Sequence, residues 1–165
     1  MFDVLVFVYE NYYSGDSYPE AALLKRKLNA VGFEPEEIGD AVNWLNGLNS
    51  VAQGLQVASE LPPRNGQEPW LREPQQTSTR IYSTLEQTRL GTRGLGYLLF
   101  LESTGQLSAP MREVVVDRVV AAPCAMIDLM DLKTIVLMVF WSFGQEPEQL
   151  LLDELCDDGQ NRLAN

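Results

Sequence analysis

Residues 128–143 read Asp-Leu-Met-Asp-Leu-Lys-Thr-Ile-Val-Leu-Met-Val-Phe-Trp-Ser-Phe. How this stretch folds decides the rest of the molecule. Asp128 is an N-cap residue type with Asp131 at N3, and Ile127 and Leu132 have the N′/N4 spacing of a hydrophobic staple. From Leu132 to Phe143 the large apolar side chains fall on every side of a helical axis. A helix that is apolar all round must be surrounded by other elements, so the stretch predicts a core helix with a bundle packed about it. The apolar run is about a dozen residues long and interrupted by Lys133. A bilayer crossing takes about 20.

Working outward, the preceding segment opens with Ser108 and Pro110 and places Met111, Val114, Val115, Val119 and Ala122 on one face. Val114-Val115-Val116 alone would suit a strand, but the cap and the spacing favour a helix ended by Pro123. Before it, Thr84 with Gln87 resembles a capping box for a helix from about Leu85 to Ser103. Gly91, Gly94 and Gly96 weaken that helix, which predicts a break near Gly91 or close approach by a neighbour. The N-terminal part reads as three helices. Met1 to Tyr13 forms a largely buried one, although its valines also suit a strand. Pro19 to Val31 has an apolar stripe at Leu24, Leu28 and Val31, and Lys25, Arg26 and Lys27 form a mostly wet face. Gly32 fits the left-handed position after it. Pro35 then sits just inside a helix with acids in its first turn and Ile38, Ala41, Val42, Leu45, Leu48 and Ala52 on one face. Helix, glycine turn and helix give a helix-turn-helix outline.

Four prolines (62, 63, 69 and 74) among Gln, Asn and Gly mark residues 53–79 as a linker or long loop, with Trp70 inside it. A last helix opens at Pro147, and residues 159–165 are a tail. The expected architecture is all-α: about seven helices in two packed groups, a unit over 1–52 and a unit over 80–158.

The 165 residues carry 23 Asp plus Glu against 12 Lys plus Arg, a net charge of −11, with no histidine and two cysteines. Without histidine, Ser-His-Asp and Cys-His nucleophile systems cannot be built within the chain. Zinc would need about four Cys or His ligands, and only Cys124 and Cys156 exist. No metal or cofactor is expected. Two thiols 32 positions apart make no disulfide framework, and no basic-then-apolar leader opens the chain, so a cytoplasmic protein is expected.

The charge is uneven: residues 1–60 sum to −6, 61–110 to +1 and 111–165 to −6. Arg80, Arg89 and Arg93 lie in the middle stretch. The spacing puts Arg89 and Arg93 on one helix face, and with Tyr82 they form a candidate patch for a phosphate or a base. The competing reading pairs these arginines with the many acids of neighbouring segments. Trp70 is a further candidate contact. Glu34, Glu36, Glu37 and Asp40 occupy the end of the second helix that a DNA reader would turn to the phosphates, and their charge opposes docking. The pairs Asp128/Asp131 and Glu113/Asp117 are explained by capping and solvated faces, leaving little for a carboxylate enzyme with a divalent ion.

The segments MFDVLVFVYENY, VGFEPEEIGDAVNWLNGL, RIYSTLEQTRL, GYLLFLESTGQLSAPMREVVVDRV and DLKTIVLMVFW, in that order, resemble the bacterial Smg family over Met1 to about Leu155. The resemblance implies a small, acidic, all-α cytoplasmic protein, without supplying catalytic residues. It implies a link to DNA metabolism through neighbouring genes. Together these readings lead to a non-enzymatic helical interaction or regulatory module with a protein partner. The alternative is a nucleic-acid-associated regulator using the helix-turn-helix outline and the arginine patch.

Overall fold

The computed structural model describes residues 1–12, 21–60 and 80–145. The expected helix after Pro147, the tail and Trp70 lie outside the described residues. Those residues form six α-helices and no strand: α1 Phe2–Tyr12, α2 Ala21–Val31, α3 Pro35–Glu60, α4 Thr84–Ser103, α5 Ala109–Val120 and α6 Leu129–Ser142. The fold is all-α. No described helix is long and apolar enough to cross a membrane.

α6 is the core helix its composition requires. Leu132, Ile135, Val136, Met138 and Val139 are buried on its successive sides, and α1, α3, α4 and α5 all pack against it. Its start follows the sequence: the Asp128 carboxylate accepts the Asp131 N–H at 2.8 Å, and Ile127 and Leu132 are both buried. A single apolar cluster draws on all six helices, from Val4, Leu5 and Val8 of α1 to Phe140 of α6. The β-branched residues of α1 and α5 are helical because their side chains enter this cluster. Tertiary burial outweighs a propensity cost of tenths of a kcal/mol per residue.

The N-terminal helices are set by local signals. α2 stops at Gly32, whose φ is +107°, and Phe33 turns back so that its ring meets Phe7 edge-on at 5.7 Å. α3 begins at Pro35 with Glu36 and Glu37 in its first turn, and Glu37 pairs with the Met1 amine at 3.2 Å. The helix carries on past Ala52 to Glu60, into the stretch expected to be linker. Val51 and Leu55 still pack against the core, and the next proline is Pro62.

α3 and α5 are joined by a reciprocal contact. The Trp44 indole N–H donates to the Arg118 carbonyl at 3.0 Å, and Arg118 Nη1 donates to the Trp44 carbonyl at 3.3 Å. The Arg118 guanidinium crosses α3 at Gly47, where a Cβ would lie 2.1 Å from Nη1. A side chain at this position would displace the guanidinium from the Trp44 carbonyl.

α4 departs most from a simple rod. Gly91 has φ +61° and ψ 177°, a non-helical conformation inside the element. Arg80, just ahead of the first half, reaches Glu113 near the start of α5. Arg89, at the end of that half, reaches Val119 in the last turn of α5 and Ala122 and Cys124 beyond its end. Glu102, near the end of the second half, pairs with Arg112. The first half therefore follows α5 in its own direction and the second returns along it. The break expected near Gly91 is a reversal.

Candidate interaction surface

The chain enters α4 through an extended piece, Arg80-Ile81-Tyr82-Ser83. Ser83 is the N-cap, with φ −64° and ψ 161°, and a full capping box closes on Glu86: the Ser83 N–H donates to Oε2 at 2.7 Å and the Glu86 N–H to Ser83 Oγ at 3.3 Å. The box expected at Thr84 and Gln87 is thus one residue earlier. Both pairs fit the sequence pattern, and Arg80 selects between them by holding Glu86 in place.

Arg80 is the centre of an ion-pair chain. Its Nη1 and Nη2 donate to Glu86 at 3.0 and 2.9 Å, and its Nε donates to Glu113 at 2.8 Å. Glu113 also accepts from Arg112 at 2.7 Å, and Arg112 pairs with Glu102. The Arg80 guanidinium stacks 4.3 Å above the Tyr82 ring. The Arg80 side chain is only 18% exposed, so these contacts fix it more firmly than an open surface pair would be. Glu86 is held at about 2, chiefly by the Arg80 hydrogen bonds and further by Ser83. Burial works to raise Glu113, but Arg80 and Arg112 outweigh it and its carboxyl lies below the ordinary range. Both carboxyls bind protons less readily folded than unfolded. Their stabilisation is complete above the ordinary carboxylate value of 4.5 and is lost as pH falls from there toward 2. A melting series across that window is expected to decline less steeply for Glu86→Gln than for the unaltered chain. Parallel curves would refute the assignment.

Burial, and then the neighbouring Glu102 charge, push the Tyr82 phenol up. Its Oη is buried with no hydrogen-bond partner among the described residues. Removing an unsatisfied hydroxyl removes a desolvation cost, so Tyr82→Phe is expected to match or exceed the original stability by up to about 1 kcal/mol in urea unfolding. A loss of that size would show that the hydroxyl is satisfied in solution.

The expected arginine patch is dispersed. Arg80 is occupied by two carboxylates. Arg89 Nη1 donates to the Ala122 and Cys124 carbonyls, each at 2.7 Å, and to the Val119 carbonyl at 3.5 Å. A cation at these end-of-helix carbonyls satisfies acceptors that have no partner within α5. Arg93 is exposed, but Gly91 stands between it and Arg89, so the two do not share the helix face their spacing suggested. The second helix of the helix-turn-helix outline buries Ala41, Val42, Trp44, Leu45 and Leu48, while Glu36, Asp40, Asn43 and Asn46 remain exposed. That outer side offers a phosphate backbone no cation.

Carboxylates do gather elsewhere. An open hollow of about 610 Å³ lies between the first turns of α1 and α6, lined by Met1, Phe2, Asp3, Asp128 and Asp131. Among the described residues no group of three or more His, Cys, Asp or Glu is arranged to hold a metal ion.

The ion-pair chain leaves apolar side chains facing out. Ile81 is 90% exposed, between the pinned Arg80 and the stacked Tyr82, and Leu85 is 54% exposed four residues on. Leu99, Phe100 and Met126 are exposed as well. Sequence reading singled out Arg80 and Tyr82 but not Ile81, because a single isoleucine in a short extended piece has no periodic pattern that shows whether it is buried.

The family model described as a protein of unknown function (DUF494) matches residues 1–165. Among curated proteins, a Protein Smg homolog of Methylibium petroleiphilum is 48% identical over 168 residues, covering all of both chains. The chain belongs to the Smg family. Smg homologs of Leptothrix cholodnii, at 47% identity over the whole of both chains, and of Bordetella pertussis, at 42% over 99% of each, are also similar. No solved structure matches this Smg-family chain.

Proposed function

We propose that the chain is a non-enzymatic helical module that works by binding another protein, and that residues 80–85 are part of its contact surface. The observation that carries this reading is Ile81, a large aliphatic side chain 90% exposed on a backbone that Arg80, Glu86 and Glu113 hold in one conformation. Preorganised apolar side chains lose little entropy on binding and commonly supply the central energy of an interface. Leu85 extends the same apolar feature. The reading includes a cytoplasmic location, which the free thiol of Cys124 supports. The nucleic-acid alternative is weaker, since Arg80 is taken up by two carboxylates and Arg89 Nη1 by backbone carbonyls of this chain.

The test compares the unaltered chain with Ile81→Asp/Leu85→Asp in affinity capture from native cells. Both positions are exposed, so the melting temperature is expected to stay within a few degrees. A partner retained by the first chain and lost by the second supports the proposal. Equal recovery overturns it.

A further inference from the structure

The net charge of −11 hides a basic island. α2 buries only Leu24 and Leu28 of its eleven residues. Lys25, Arg26 and Lys27 are consecutive and all exposed. Lys27 Nζ stands 5.1 Å from the Tyr12 ring centroid, and Lys25 and Arg26 have no carboxylate within ion-pair distance among the described residues. Elsewhere Arg80, Arg112 and Arg118 are held by acids, and Arg89 by carbonyls. The same helix exposes two aliphatic side chains, Leu23 at 42% and Val31 at 56%. Leu23, Lys27 and Val31 follow one another at intervals of four along one side of the helix, Arg26 adjoins Lys27, and Lys25 lies on the opposite flank.

We propose that this side of α2, with Leu23, Arg26, Lys27 and Val31 in contact and Lys25 adding charge from the opposite flank, docks an acidic segment of a partner protein that carries aliphatic side chains among its carboxylates. Charge complementarity selects that occupant. A basic partner would be drawn to the acidic remainder of the chain and repelled from α2. An acidic partner is repelled by the acid-rich first and last thirds of the sequence and meets three consecutive exposed cations here. At physiological salt the Debye length is about 8 Å, so contacts made at α2 are felt while the distant carboxylates are largely screened. Nucleic acid fits less well. Three cations neutralise only about three phosphates, and Leu23 and Val31 meet nothing apolar on a phosphate backbone. This surface is separate from the residue 80–85 surface and stands or falls apart from it.

The experiment places the photocrosslinking residue p-benzoylphenylalanine at position 23 of the full chain in native cells, and sequences the cross-linked peptide by mass spectrometry. The expected product is a protein peptide with several Asp or Glu among aliphatic residues. Lys25→Glu/Arg26→Glu/Lys27→Glu is expected to reduce it at least tenfold, whereas Ile81→Asp leaves it unchanged. Circular dichroism and melting verify that the reversed chain folds, and a triple glutamine variant serves if it does not. Absence of a product overturns the proposal. So does cross-linking to nucleic acid, lipid, this chain itself or a non-acidic segment, and so does a product that survives loss of the cations.

Discussion

Gly91→Ala is expected to lower the unfolding free energy by about 2–3 kcal/mol, read as a shift in the urea midpoint with an unchanged slope. At φ +61° and ψ 177° the backbone lies in a region that essentially only glycine occupies, and a Cβ adds strain whatever space surrounds it. Nothing lies within 4 Å of that Cβ position, so the cost is backbone strain and not a clash. The chain cannot escape by straightening, because a continuous rod would separate Arg80 from Glu113 or Arg89 from Ala122. The control is a few residues along. Gly96 is helical, exposed and equally uncrowded, and Gly96→Ala is expected to stabilise by up to about 1 kcal/mol. Two glycine-to-alanine changes in one element thus carry opposite signs. Equal effects would remove the case for a reversal at Gly91.

Arg89→Ala is expected to cost about 3 kcal/mol. One nitrogen, Nη1, donates to three carbonyls that close the end of α5 and the loop behind it. Hydrogen bonds from a charged donor are each worth about 1.5–3 kcal/mol, and their loss takes the cation from the Ala122 and Cys124 carbonyls, while Val119 keeps the backbone N–H of Ala122. The three do not add in full, since water reaches part of the loop. Hydrogen exchange supplies the second readout: amides of residues 121–128 are expected to exchange faster, while those of α1 respond only to global opening. A phosphate-binding arginine would behave in the opposite way. Its removal would leave stability and exchange unchanged and abolish binding of a single-stranded oligonucleotide at low salt, an outcome that would restore the nucleic-acid reading.

Features governed by neighbours in sequence were legible in advance. The Asp128 cap, the staple of Ile127 and Leu132 and the helix–Gly32–helix turn each depend on residues within about five positions, so a spacing rule reads them directly. The end of α3 was not legible, because contacts of Val51 and Leu55 with the core sustain a helix whose own pattern fades. The surface around Arg80 was half legible. Arginines in an acidic chain are expected to find carboxylates, and Arg80 finds two. Which two could not be read, because Glu113 lies 33 residues away and is brought close by the reversal at Gly91. The same reversal separates Arg89 from Arg93, so one glycine conformation undid the patch that spacing alone had assembled.

The Trp44–Arg118 contact also bears on how the polypeptide could be divided. It ties a helix ending at Glu60 to one that begins only at Ala109, and both ends of the intervening stretch are fixed, at α3 and at Arg80. A backbone nick between residues 60 and 80 would leave two pieces, each with half of one apolar cluster and half of a reciprocal pair. Such pieces should recombine from solution by fragment complementation, which makes this fold a candidate split reporter whose two parts recognise each other through their own core.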